Sequence, residues 1–384
     1  MSHPRTYLAV MGDSNDPRTW SGIPYHFLQS AQAGKLIDEG LKLDTEDTGW
    51  RCRRLLWNGW RYLTGQGKGG YQYSVAGLEH VWSPVRDHIL DGVVINCFQL
   101  FPPSIVLEPR VRKMFYIDMT LSQLFDFYQQ RSTIGPAIAR EAIRREKEGY
   151  QAAEIVVCHS QWAAQSVIDD YGIDAGKVKA IVPGANIDRD TYQRWFQQAT
   201  LPVRSPDQPL RLIFIGKYWD RKGLDRLLEA LKLVHHQGRQ IELTVLGCRR
   251  EELPGHLQDV LNVKWLGFLD KRNEMDRFLN LVAESDIGCL LSRAEAGGMV
   301  LREYHALGLV VLGTAVGGSP EHMFADAGYA VPPDASADVI ANWLIDLGDH
   351  PDRLTTLRQH AWAHRQEATW DATVSHWRTV LTST

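Results

Sequence analysis

Short apolar blocks recur along the whole chain, and amphipathic stretches lie between them. In the first half the blocks at 7–11, 92–97, 114–118, 154–158 and 179–182 read as buried strands. In the second half strands at 211–215, 241–246, 263–266, 286–291 and 309–312 alternate with helices at 224–235, 273–283 and 300–307. Apolar runs of this length without polar alternation suit strands covered on both faces. Strands alternating with helices predict a parallel sheet flanked by helices. A further helix opens near Gly22-Ile23-Pro24, where the proline suits an early helical position. The segment 140–150 is helical and charged, with arginine and glutamate alternating as on a solvated face.

A chain of 384 residues suits two domains. The segment 201–210, with its prolines and polar residues, reads as the linker between them. The expected division is therefore 1–200, a linker at 201–210, and a second domain at 211–365. The tail at 354–380 is helical in pattern, and Trp362, Trp370 and Trp377 read as packing residues on it.

Composition narrows the class. Hydrophobic residues make up 44 % of the chain, enough for two cores, and the formal net charge is −4, which argues against a nucleic-acid-binding protein. The five cysteines are scattered and no pair has metal-ligand spacing, so they read as thiols in a reducing compartment. The apolar block at 7–11 is too short for a signal peptide, and no apolar run approaches the ~20 residues of a membrane span. A cytoplasmic location is expected, with contact at the inner face of a membrane left open. That contact is suggested by segment 50–62, where arginines interleave with aromatic residues ahead of the glycine-rich 65–70. It reads either as a membrane-interface segment, or grip on a lipid diphosphate, or as a helix with a buried tryptophan face and a flexible loop beside it.

The candidate chemistry lies mostly in the second half. Glu295 and Glu303 stand eight positions apart, with Gly297, Gly298, Met299 and Val300 between them. A strand precedes this stretch and a helix follows, so the turn presents free backbone N–H groups to an anion. Carboxylates beside a phosphate site suit recognition of sugar hydroxyls. A second strand–loop–helix runs through Gly216 and Lys217, then Arg221, Lys222 and Gly223. Fixed cations there would neutralise a departing diphosphate without a metal. Taken singly, each feature also fits an ordinary solvated surface. In the first half, Gly22 would let a ligand approach the backbone. Asp118 ends a strand where open α/β sheets place ligands, or else simply caps the next helix.

Together these segments resemble the retaining family 4 glycosyltransferases of GT-B fold. Their Glu-x7-Glu motif matches Glu295 and Glu303. Their strand ending in Gly-Arg, with a Lys-Gly pair five residues after the arginine, is matched by Gly216-Lys217 and Lys222-Gly223, with Lys217 in place of the arginine. Gly313 to Glu321 resembles the Thr-x-x-Gly-Gly-x-x-Glu turn. Ser160-Gln161-Trp162, Asp170-Tyr171-Gly172 and 183–188 resemble the end of the first domain.

The resemblance implies two Rossmann-like domains with parallel sheets facing across a cleft, and a last helix, about 366–384, returning to the first domain. It implies transfer of a sugar from a nucleotide sugar, UDP- or GDP-linked, to a carbohydrate or lipid-linked acceptor hydroxyl with retention of configuration. Polysaccharide or glycolipid assembly is the expected setting. Catalytic roles fall to Asp118, Lys217, Lys222 and Glu295. Donor binding falls to Gly22, Gly216, Arg221, Gly297, Gly298, Met299, Val300 and Glu303. No metal or other cofactor is implied. A GT-B phosphorylase or epimerase and a non-catalytic sugar-nucleotide-binding protein remain alternatives. A Rossmann dehydrogenase fits poorly, because the first loop lacks Gly-x-Gly-x-x-Gly.

Overall fold

The structure, a computed structural model, describes residues 4–66, 68–129, 131–201, 204–205 and 208–382. Residues 202, 203, 206 and 207 of the expected linker lie outside the described residues. The chain forms two compact units, Met1–Pro183 with Thr373–Thr384, and Gly184–Ala372.

The first unit is built on a six-stranded parallel sheet. Its strands are β1 (Thr6–Ala9), β2 (Glu39–Gly40), β3 (Val93–Asn96), β4 (Arg112–Ile117), β5 (Ile155–Cys158) and β6 (Val178–Ala180), in the order β2-β1-β3-β4-β5-β6. Helices relevant to the site are α1 (Ile23–Ala33), α2 (Thr48–Leu63), α3 (Leu121–Phe127) and α4 (Pro136–Ala152). Both faces of the sheet are covered. Phe115 and Ile117 of β4 pack with Tyr150 of α4 in one core. Tyr116, between them, turns to the other side and meets Phe27 of α1 at 5.1 Å. It also meets Trp377 of the last helix, at 5.2 Å. This two-residue alternation inside an all-apolar run is the mark of a strand buried on both faces.

The second unit begins with α5 (Arg189–Gln198) and carries a second six-stranded parallel sheet. Its strands are β7 (Leu210–Ile215), β8 (Ile241–Leu246), β9 (Val263–Gly267), β10 (Ile287–Leu290), β11 (Val310–Thr314) and β12 (Gly328–Val331). Their order is β9-β8-β7-β10-β11-β12, with every pair parallel. Helix α6 (Leu224–His236) packs with Leu212 and Phe214 on one face. Helices α7 (Lys271–Ala283) and α8 (Met299–Ala306) pack with Ile213 on the other. A final helix, α9 (Trp370–Thr382), starts in the second unit and ends in the first.

The pattern of the sequence puts the first boundary at 200, whereas the units divide at Pro183 and Gly184. Tyr192 of α5 accounts for the difference. It is buried in the core that holds Phe278, Leu301 and Tyr304, so the helix belongs with the second sheet. The three tail tryptophans are packing residues. Trp377 is fully buried, Trp370 donates from Nε1 to Asn186 Oδ1 at 3.2 Å, and Trp362 lies edge-on to Trp195.

Candidate functional site

Strand order reverses in the second sheet between β7 and β10, neighbours in space that are far apart in sequence. The crevice outside the carboxyl ends of two such strands is where doubly wound sheets take ligands. The loops leaving β7 and β10 carry most of the sequence-predicted residues.

These loops are tied together. The Lys222 ammonium pairs with the Glu295 carboxylate. Ser292 Oγ donates to the same Oε2 at 3.2 Å, and Arg221 Nη1 lies 3.5 Å from it. Arg221 also donates to Ala294 O at 3.0 Å, and Arg293 N donates to Arg221 O at 2.8 Å. Gly223 permits this approach. It sits at φ +72°, and a Cβ there would overlap the carbonyl of Leu291. Lys217 stands apart from the cluster: it is exposed, and its ammonium rests 4.7 Å over the Phe268 ring. Gly216 donates to Leu246 O and its own carbonyl accepts from Cys248 Sγ at 2.9 Å, so its backbone is held by the neighbouring strand.

The loop after β10 runs directly into α8. Gly298, at φ +80°, is the residue before the helix, and no side chain caps this terminus. The N–H groups of Met299 and Val300 therefore sit in the first turn, where a helix has no internal acceptors. Gly297 packs against the ring of buried His322, and a Cβ there would overlap it. One turn on, Glu303 is 4 % exposed and its Oε1 lies 2.5 Å from Lys271 Nζ of α7. Burial pushes this carboxyl above its usual range, and Lys271 opposes the shift. Lys271 is held in turn over the Phe278 ring at 4.2 Å.

Glu295 is 7 % exposed. The solvated-surface reading of both glutamates is thereby overturned. An uncompensated buried carboxylate is costly, and each of these has a cation in contact with it.

Gly22 and Asp118 lie in the first unit. Gly22, at φ +84°, precedes α1, and Trp20 and Ser21 before it also have positive φ. Asp118 is half-buried at the end of β4, ahead of Thr120, which caps α3 through a reciprocal hydrogen-bond box with Gln123. The capping role weighed for Asp118 thus belongs to Thr120. Nearby His159 is buried, stacks on Trp20 at 5.6 Å, and has its pKa lowered by burial to about 3.

Sequence reasoning missed Lys271, Ser292 and His322 as site neighbours. Ser292 stands two residues past β10 on the way to Glu295 and was within reach of the motif. Lys271 and His322 come from other elements, and only the fold brings them in. Among the described residues, no group of three or more His, Cys, Asp or Glu side chains is placed to hold a metal ion.

The two-sheet architecture is the GT-B fold. Over 99 % of this chain and all of the other, it superposes on WaaG, a glycosyltransferase involved in lipopolysaccharide biosynthesis, with a TM-score of 0.64 and 14 % identity. It superposes on Anabaena Alr3699/HepE, solved with UDP, over the same shares, with a TM-score of 0.63 and 16 % identity. Residues 199–362 match the family model described as Glycosyl transferases group 1.

Among curated proteins, a D-inositol 3-phosphate glycosyltransferase of Gordonia bronchialis is 24 % identical over 245 residues, covering 60 % of this chain and 52 % of that protein. The amylovoran biosynthesis glycosyltransferase AmsK of Erwinia amylovora is 30 % identical over 153 residues, 36 % of each chain. The chain spans about half the length of the D-inositol 3-phosphate glycosyltransferases it matches.

Proposed function

We propose that the protein is a retaining glycosyltransferase of family 4 type, moving a hexosyl group from a nucleotide sugar to an acceptor hydroxyl. The observation that carries this reading is the pairing of two buried glutamates with lysines around an uncapped helix N-terminus at the switch point of the second sheet. In this reading Glu303 accepts hydrogen bonds from the ribose hydroxyls and Glu295 from hydroxyls of the donor sugar. The backbone N–H groups from Gly298 to Val300 hold the diphosphate, aided by the helix dipole.

Bond cleavage leaves negative charge on the departing diphosphate. Lys222 and Arg221 are fixed beside that position, and exposed Lys217 can swing in from Phe268, so charge is neutralised by side chains rather than by a metal ion. Lys217 supplies a point charge where the family arginine supplies a fork. Gly216 keeps the loop close; for Gly22 and Asp118, which lie in the first unit, the reading keeps the roles the resemblance implies, donor binding for Gly22 and a catalytic carboxylate for Asp118.

The AmsK and WaaG likenesses support polysaccharide or glycolipid assembly, with a carbohydrate or lipid-linked acceptor. The HepE complexes with UDP and UDP-glucose support a UDP-sugar donor. A cytoplasmic location is supported by the free cysteines, four of them buried and Cys52 exposed.

The test is incubation with UDP-glucose and other nucleotide sugars in EDTA, followed by nuclear magnetic resonance. Release of UDP with a sugar product of the donor's anomeric configuration is the expected result. Inverted product would remove the retaining mechanism. Binding without any sugar release would mean a sugar-nucleotide-binding protein instead.

A further inference from the structure

We propose that helix α2 docks the protein on an anionic lipid bilayer. The inference is independent of the reaction proposed above and rests on the two faces of this one helix.

The inner face does the folding. Trp50 is buried, its ring 4.8 Å from that of Tyr71. Trp57 Nε1 donates to Gly69 O at 3.0 Å. Arg61 is 1 % exposed, and its guanidinium donates to Gly69 O and Ile134 O, both at 2.6 Å, and to Gln66 O. Asn58 Oδ1 accepts from Gly69 N at 2.8 Å. The glycine-rich stretch is thus stapled to the helix by side chains rather than hanging free beside it.

The outer face has no such role. Leu55 is 68 % exposed, Leu56 75 % and Leu63 84 %, with Trp60 at 55 % and Tyr62 at 67 %. Five of the eleven exposed large hydrophobic side chains among the described residues therefore sit on this helix, a concentration unlike the single exposures normal on a surface. At roughly 100° per residue, Cys52, Leu55, Leu56, Gly59 and Leu63 fall within an arc of about 100°, opposite Trp50, Trp57 and Arg61. Trp60 and Tyr62 stand at the two borders of that arc. Arg53 lies just beyond Trp60, and Arg51 just beyond Tyr62. An apolar strip edged by aromatic rings and then by long cationic side chains matches the depth profile of a bilayer interface: acyl chains, then headgroups, then phosphates.

Charge selects the occupant. The chain carries a net −4, yet no acidic residue occurs from 48 to 78. The same stretch exposes Arg51, Arg53 and Arg54, and Lys68, whose ammonium lies 5.0 Å over the Tyr62 ring. A cationic border on an anionic protein suits an anionic surface. A second copy of the chain suits it poorly, because a two-fold contact on this face sets its own arginines against one another.

The test is flotation of the whole protein with phosphatidylcholine vesicles and with phosphatidylglycerol-rich vesicles, beside light scattering for oligomeric state. One basic side chain near an anionic surface is worth roughly fivefold in binding. At least about tenfold stronger binding to the anionic vesicles is therefore expected, and it should fall with added salt. The double variant Leu56→Asp, Leu63→Asp should lose it while keeping the wild-type melting temperature, since both side chains point to solvent. The double variant Arg51→Gln, Arg53→Gln should bind both vesicle types alike. Equal wild-type binding to both vesicles, or binding that survives the leucine substitutions, would overturn the proposal. So would a dimer that those substitutions dissolve without any vesicle binding, which would assign the face to a second copy.

Discussion

The Lys222 ammonium and the Glu295 carboxylate meet across the switch point of the second sheet, although 73 residues separate them in the chain. Both are largely buried, with Ser292 and Arg221 completing the cluster. A cation fixed in this way meets a departing diphosphate with little reorganisation. Lys222→Ala should therefore lower kcat by roughly a hundredfold or more, with a smaller change in KM. Steady-state kinetics on the UDP-sugar donor check this. A change confined to KM would make Lys222 a binding residue only.

Glu303 gives a pH signature. Burial raises its carboxyl above the ordinary 4.5, and Lys271 is what holds it down. In the proposed reading the ionised form accepts from the ribose hydroxyls, so nucleotide affinity should fall on acidification, beginning above the usual carboxylate range. Lys271→Met removes the opposing cation and should move that loss to higher pH. Dissociation constants measured across a pH series in both proteins decide the point, and superimposable curves would contradict it.

Much of this was legible in the chain, for reasons particular residues make clear. Runs such as 211–215 and 286–291, apolar after their first residue, marked strands because both faces of each sheet are covered. β12 escaped notice, since it is an edge strand with three of its four residues only half-buried. The Glu295–Glu303 spacing was legible because both ends lie in one strand–turn–helix. Their lysine partners belong to α6's entry loop and to α7, and no local pattern reports such a meeting. The segment 50–62 supported two readings. The structure shows an inward tryptophan face, with Trp50 buried and Trp57 half-buried, together with an exposed apolar face through Leu55, Leu56 and Leu63.

Glu146 of α4 tests the first unit. Its carboxylate accepts from Leu121 N at 2.9 Å and from the hydroxyls of Tyr150 and Tyr171, and burial raises its pKa to about 8. The folded value lies above the unfolded one, so the folded state binds the extra proton. Its contribution to stability is complete below about 4.5 and is lost as pH rises through about 8. Thermal melting should show a midpoint that declines across this window, and Glu146→Gln should flatten the decline. An unchanged slope would remove Glu146 as its source.

Two glycines should respond in opposite ways. Gly223→Ala combines a positive φ with overlap on Leu291, and should lower the melting temperature and disturb the Lys222–Glu295 pair. Gly59, inside α2, has open space where a Cβ would go, so Gly59→Ala should stabilise by up to about 1 kcal/mol. Calorimetric melting of both variants is the check. Equal effects would mean that the close approach at Gly223 is not what requires glycine.

The central claim is that the second unit grips a nucleotide through Glu303 and the N-terminus of α8. Isothermal titration of UDP, with GDP and ADP alongside, into wild type and Glu303→Gln in EDTA tests it most directly. Saturable binding of one nucleotide is expected without divalent metal, weakened roughly tenfold or more by the substitution, as for loss of hydrogen bonds to a charged group. Absence of nucleotide binding, or equal affinity in the two proteins, would contradict the account.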